Sequence, residues 1–284
     1  MFFCWQGLTP PAETKKIHIF ATIKTYKINE YNELNFKIPE ESTDYPEASN
    51  FIIAAIEGIL ADAIKKGENK IIINTNLKNG LPMENINKIA GPIVEAWADE
   101  LFESISQTNG NKWSLIHSEA CPRLGMADII LQFKKTTTFG SVITANVDSK
   151  ATAEDFENSG KSPNITSFAR IRSAYVEDAD FIFVILSLKH KVFCQKNNMT
   201  GLMDGIMEVV KYNAYDIKYI SEPDINYNPA LGTGQLQIRD IHYVNLVKRT
   251  TWEFCQILDA KYLSSKKRSF NDWLELATQN GWIK

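Results

Sequence analysis

A chain of 284 residues suffices for one large domain or two small ones, and 44% hydrophobic with 23% charged residues is an ordinary globular balance. A formal net charge of −3 argues against general nucleic-acid binding, though not against a nuclease, whose metal site concentrates acids that cations neutralise. No apolar run reaches the roughly 18 residues that span a bilayer, and the start Met1-Phe2-Phe3-Cys4-Trp5 lacks a signal peptide's basic region. Cys4, Cys121, Cys194 and Cys255 are too scattered for a zinc site or a disulfide framework, so a reducing cytoplasm without membrane contact is expected. Basic clusters such as Lys65-Lys66 and Lys266-Lys267-Arg268 read as solvated surface.

In chain order, residues 1–28 read as an N-terminal extension: a disordered leader, an added strand or a non-native start. Residues 29–284 form the main domain. Tyr45-Pro46 opens a helix whose stripe of Phe51, Ile52, Ala55, Ile56, Ile59, Leu60 and Ile64 has i, i+3, i+4 spacing and ends at Gly67. Ile71-Ile72-Ile73 is a short strand, followed by a polar loop from Asn74 to Gly80. A second helix begins near Glu84, is interrupted or restarted at Gly91-Pro92, and buries Val94, Trp97, Leu101 and Phe102. Trp113–Ser118 reads as a strand. Further on, Ser162 and Pro163 look like the N-cap and first position of a helix that turns Phe168, Ile171 and Tyr175 inward. Phe181–Leu186 is a fully buried strand with Lys191–Cys194 as its neighbour. Gln235–Ile238 is a strand after a Gly-rich loop, and helices over 250–263 and 270–280 close the chain. The sum is a mixed α/β (α+β) fold, a central sheet flanked by helices, too irregular in order for a doubly wound nucleotide binder.

The chemistry concentrates between Asp128 and Lys150. Residues 128–133 and 141–150 are β-rich runs flanking a polar turn near Thr138. In the second run Ile143, Ala145 and Val147 share one face, while Asn146, Asp148 and Lys150 share the other. A turn near Thr138 sets Asp128 opposite Asp148, with Cβ atoms about 4.5–5.5 Å apart. Facing carboxylates repel and raise one another's pKa unless a cation sits between them. A hard divalent ion such as Mg²⁺ suits the oxygen ligands, and Lys150 is placed to orient a water for phosphodiester hydrolysis. Spacing alone leaves a strand-end ion pair between Asp148 and Lys150 equally open.

Asp128 with Asp148-Ser149-Lys150 resembles the PD-(D/E)xK core of type II restriction endonucleases. The usual proline before the first acid is replaced, since the chain reads Met126-Ala127-Asp128. Longer strings from Tyr31 onward, among them residues 84–92, 160–168, 227–235 and 248–252, resemble a subgroup of these enzymes that recognises GTTAAC. The resemblance implies a PD-(D/E)xK restriction-endonuclease-like fold. It also implies a homodimer that binds double-stranded DNA, uses Mg²⁺ and cuts at the centre of the site to leave blunt ends. A cognate DNA methyltransferase is the expected genetic partner.

It further implies roles for single residues. Asp128 and Asp148 become metal ligands and Lys150 the stabiliser of the attacking water. Glu95 is by spacing a solvated helix-flank acid, and the shared Gly91-x-x-x-Glu95 makes it a supporting carboxylate. Ser162, Asn164 and Asn228 become DNA contacts, because helix starts suit phosphates and asparagine amides suit adenine edges. Asn76, Lys78 and Asn79 become backbone grips. Two other readings are a PD-(D/E)xK nuclease of repair or recombination, and a non-catalytic DNA-binding module of the same fold.

Overall fold

A computed structural model describes residues 25–122, 125–138 and 140–284. The expected extension therefore lies outside the described residues as far as residue 24, and Thr25–Asn32 forms a helix, α1. The remaining helices are α2 (Tyr45–Lys66), α3 (Met83–Ser106), α4 (Phe168–Glu177), α5 (Thr251–Ser264) and α6 (Phe270–Gln279). The strands are β1 (Lys70–Ile73), β2 (Leu115–Ala120), β3 (Ile129–Thr137), β4 (Gly140–Ala153), β5 (Asn164–Ser167), β6 (Ile182–Lys196), β7 (Met203–Asp216), β8 (Ile225–Asn228) and β9 (Gln235–Ile238).

Six strands form a mixed sheet in the order β1-β7-β6-β4-β3-β2, antiparallel throughout except for β4 beside β6. Strand β6 lies at its centre because its side chains are apolar on both faces. Ile182, Val184 and Leu186 enter one core with α2 and α3, while Phe183 and Ile185 enter a second core with α4, α5 and α6. Each such large side chain, fully buried, contributes about 1.5–3 kcal/mol. A second, three-stranded antiparallel sheet, β5-β9-β8, packs into that second core through Ile165, Leu236 and Ile238.

Most helices sit where their periodicity puts them. In α2, Ile52, Ala55, Ile56, Ile59 and Leu60 are buried, and the left-handed Gly67 (φ 76°) caps the end by donating to the carbonyls of Ala63 and Ile64. Capping boxes at Thr250/Glu253 and Ser269/Asp272 start α5 and α6.

Four expectations need correction. The second helix is not broken at Gly91-Pro92: α3 runs unbroken with Pro92 inside it. Lys88 and Pro92 lie on its exposed face, where water can satisfy the carbonyl that the proline leaves without a donor. Ser162-Pro163 does not start a helix. Ser162 has φ 50°, and Asn164–Ser167 pair with β9, so the helix waits until Phe168. Phe168, Ile171 and Tyr175 nevertheless point inward as expected. Lys191–Cys194 is no neighbour of Phe181–Leu186; Ile182–Leu186 and Lys191–Cys194 lie in one 15-residue strand, β6. The strand expected at Trp113–Ser118 begins instead at Leu115, after Ser114 takes up φ 58°.

One buried ion pair ties the second core together. The Arg172 guanidinium donates to both Asp259 oxygens at 3.1–3.2 Å. Asp259 also accepts from the Tyr31 hydroxyl (2.8 Å) and the Trp273 indole (3.0 Å). Arg172 and Asp259 are both wholly buried. Asp259→Ala should therefore cost about 3–5 kcal/mol, since it strands a buried guanidinium. Urea denaturation midpoints would read this directly, and a loss near zero would show that Arg172 is satisfied without the pair.

Candidate active site

The β3–β4 hairpin places the acids. Ile129 pairs with Val147, so the register carried one residue further sets Asp128 opposite Asp148. Asp128 is held in place at both ends, its N–H donating to the Val147 carbonyl (2.9 Å) and its Oδ2 accepting from the Ser149 N–H (2.8 Å). Lys150, two residues on from Asp148, shares its face. Its Nζ lies 2.8 Å from the Asp148 carboxylate and 3.8 Å from Asp128. Glu95 reaches in from α3 and accepts from the Ala151 N–H at 3.3 Å. The structure thus brings together all four residues expected at the reaction centre.

The two aspartates differ sharply in environment. Asp128 is half exposed, whereas Asp148 is only 3% exposed. Burial pushes the Asp148 carboxyl up to about 7 against the pull of Lys150, with Asp128 and Glu95 adding to the rise. Burial also raises Glu95, opposed by the Ala151 N–H and by Lys150. Burial alone would lower Lys150, but Asp148, Asp128 and Glu95 outweigh it and hold the ammonium above its ordinary value.

Three carboxylates therefore surround one ammonium, and a buried Asp148 Oδ2 has no hydrogen-bond partner of good geometry. Hard oxygen donors with surplus negative charge suit a divalent cation. Among the described residues no group of three or more His, Cys, Asp or Glu could hold a metal ion. Asp128 and Asp148 are the two carboxylates lining the larger cleft, and a hard ion such as Mg²⁺ usually takes one or two, with water and phosphate oxygens completing its shell.

Asp128, Asp148 and Lys150 line a cleft of about 460 Å³ whose other wall is Ile165, Thr166, Ser167, Arg170 and Gln235. A smaller cleft of about 180 Å³ adjoins it at Asp128 and carries Glu95 and Asp99. The small sheet thus faces the acids; it also carries Asn164 and Asn228, with Ser162 two residues ahead of β5, and none of these three lines the cleft itself. Asn164 pairs with Gln237 and Asn228 with Gln235 in its register. Asn228 Oδ1 accepts from the Ala230 N–H (3.1 Å), which closes the turn into the next loop. That loop needs a glycine at 234: φ is 91°, and a Cβ there would lie 2.2 Å from the Tyr227 hydroxyl.

Asn76, Lys78 and Asn79 are placed elsewhere. Their exposed loop is stitched to the far end of the β6–β7 hairpin, Thr75 Oγ1 donating to the Met203 carbonyl (2.7 Å) and Met203 N–H to that of Leu77 (3.2 Å). The sequence reading left out Gln235, Gln237 and Arg170, which belong to the cleft or to its small sheet. Period-two alternation in Gln235-Leu236-Gln237-Ile238 was the available signal: two amides on the face opposite two buried apolar residues. It also left out His242, whose ring nitrogens bond Thr152 Oγ1 (2.8 Å) and Ser187 Oγ (2.9 Å). These hydroxyls come from two strands, a pairing that linear sequence does not display.

Comparison with known proteins gives a concordant result. Residues 32–281 match the family described as Type II restriction endonuclease HpaI. The Type II restriction enzyme HpaI of Haemophilus parainfluenzae is 58% identical over 254 residues, covering 89% of this chain and 99% of that protein.

The buried acid predicts a pH signature in protein stripped of divalent ions. The folded state keeps the Asp148 proton up to about 7, whereas an unfolded aspartate releases it near 3.8. In that window the native state binds more protons than the unfolded chain, so the Asp148 contribution to stability falls as pH rises. Relative to Asp148→Asn, the unaltered protein should lose ground between about pH 4 and about pH 7 in chemical denaturation. A constant difference between the two would mean that Asp148 is ionised throughout.

Proposed function

Because the chain belongs to the HpaI family of type II restriction endonucleases, and is a site-specific deoxyribonuclease, we propose that it cuts both strands of GTTAAC at the centre, as a Mg²⁺-dependent homodimer. The observation that carries the reading is a single cleft with Asp128, Asp148 and Lys150 on one wall and the small amide-bearing sheet on the other. A two-fold DNA site calls for a two-fold protein, each subunit supplying one reaction centre and reading one half-site.

Asp128 and Asp148 are the residues that would hold Mg²⁺, which when bound supplies a Lewis acid for the scissile phosphate and acidifies the attacking water. Lys150 orients that water and offsets the negative charge that grows on the phosphoryl oxygens. In-line attack forms a new P–O bond opposite the breaking bond to O3′, which leaves a 5′-phosphate and inverts phosphorus. Glu95 anchors β4 through the Ala151 N–H and supports the water network from behind. Ser162, Asn164 and Asn228 meet the DNA from the small sheet, with Asn76, Lys78 and Asn79 gripping the backbone further out. The protein works in the cytoplasm beside a methyltransferase that protects the same sequence. No helix among the described residues is long and apolar enough to cross a membrane.

Lys150→Ala should separate binding from chemistry. Losing one electrostatic stabiliser lowers single-turnover cleavage by about 10² or more. Affinity rests on many phosphate and base contacts and should barely change. Gel-shift affinity beside single-turnover cleavage of a GTTAAC duplex at fixed salt, with Mg²⁺ or with EDTA, is the test. Cleavage by Lys150→Ala near the unaltered rate would remove the lysine from the mechanism. Cleavage in EDTA would remove the metal, and ends scattered along the duplex would remove the sequence assignment.

A further inference from the structure

Ser162 adopts a left-handed backbone conformation, φ 50°, that side-chain-bearing residues rarely occupy. Two contacts from β9 and the turn after it hold it there. Its N–H donates to the Arg239 carbonyl (3.1 Å), and its own carbonyl accepts from Gln237 Nε2 at 3.0 Å. The same Nε2 lies 3.0 Å from Oδ1 of Asn164. Amide orientations are normally ambiguous, but here the backbone resolves them. A peptide carbonyl can only accept, so the Gln237 atom facing Ser162 must be its NH₂ group. That group then meets Asn164 as a donor too, so the Asn164 atom it touches must be the carbonyl oxygen. The Asn164 NH₂ group is turned away from Gln237. It makes no hydrogen bond with protein among the described residues, and the residue is exposed.

We propose that Gln237 is a positioning residue for DNA sequence reading: it locks the amide of Asn164 so that its NH₂ group is presented to an acceptor on a base edge. The inference rests on the reading above that Asn164 contacts DNA. Purine N7, guanine O6 and thymine O4 in the major groove are such acceptors, as are purine N3 and thymine O2 in the minor groove. Without Gln237 the amide can rotate and offer its oxygen to an acceptor instead, which repels. Gln237 thus governs selectivity without touching the DNA, and the same bond steadies the strained turn at Ser162.

The test measures equilibrium binding at fixed salt, without divalent ions, to the cleavage-site duplex, to duplexes with one base pair replaced in turn, and to unrelated DNA. Asn164→Ala should lower affinity for the site about ten-fold or more and erase the preference at one base-pair step. Gln237→Met should erase the preference at that same step, and the double variant should be no worse than either single one. Affinity for unrelated DNA should stay unchanged in all of these. Gln237→Glu keeps the size but presents no donor, so it should fail to restore the preference even if the methionine variant is poorly folded. Intact discrimination in Asn164→Ala would overturn the DNA-contact reading itself. Lost discrimination there with intact discrimination in Gln237→Met or Gln237→Glu would overturn the role given to Gln237. A fall in melting temperature with discrimination preserved would leave Gln237 purely structural and also overturn it.

Discussion

A carboxylate that is 3% exposed at the heart of a sheet is unstable as an anion unless a cation faces it, and Asp148 depends on Lys150 for that. The remaining architecture serves this pair. Strand β4 must lie between β3, which supplies Asp128 through its register, and β6, which closes the other side and excludes water. Helix α3 covers the back of the sheet and lends Glu95 to the Ala151 N–H. The outcome is a concentration of negative charge that the protein only partly neutralises. Such a concentration of oxygen donors suits a hard divalent ion.

Legibility in the sequence followed the range of the interactions. The helix stripes of α2 and α4 and the alternation in β4 are local periodicities, and burial in the structure agrees with them. The opposition of Asp128 and Asp148 needed only one turn to be located, near Thr138, and the observed pairing of Thr137 with Gly140 lies there. Strand β7 went unread because Asp204, Glu208, Lys211 and Asn213 break its apolar pattern. Glu208 is compensated across strands by Lys191 at 3.0 Å, a pairing that periodicity does not display, and Asp204 accepts from the turn residue Asn197 at 2.9 Å. The helix expected at Ser162 failed for a related reason. Ser-Pro is a good start signal, but pairing of Asn164 with Gln237, distant in sequence, overrode it.

The site shows the same division. Asp128, Asp148 and Lys150 lie within one hairpin, so their approach to one another was readable from spacing. Glu95 was not, since its approach to Ala151 depends on how α3 lies across the sheet. Gln237 meets a loop some 75 residues earlier, so only the folded chain reveals that contact.

The parallel pairing of β4 with β6 carries a topological consequence. Parallel neighbours cannot be joined by a tight turn, so the chain must leave the sheet after Ala153 and return at Ile182. That obligatory excursion contains Ser162, Asn164 and α4. The segment facing the cleft opposite the acids is therefore the one that the sheet's wiring forces to exist and does not hold in register. Its α4 is fixed by Phe168, Ile171, Arg172 and Tyr175 in the second core, but the stretch between Asp155 and Gly160 belongs to no strand, so a change of length there need not move Asp148 or Lys150 by a strand position. The large sheet thus fixes the two aspartates and the lysine by strand register, while the approach of the small sheet to them is set by the length of a loop.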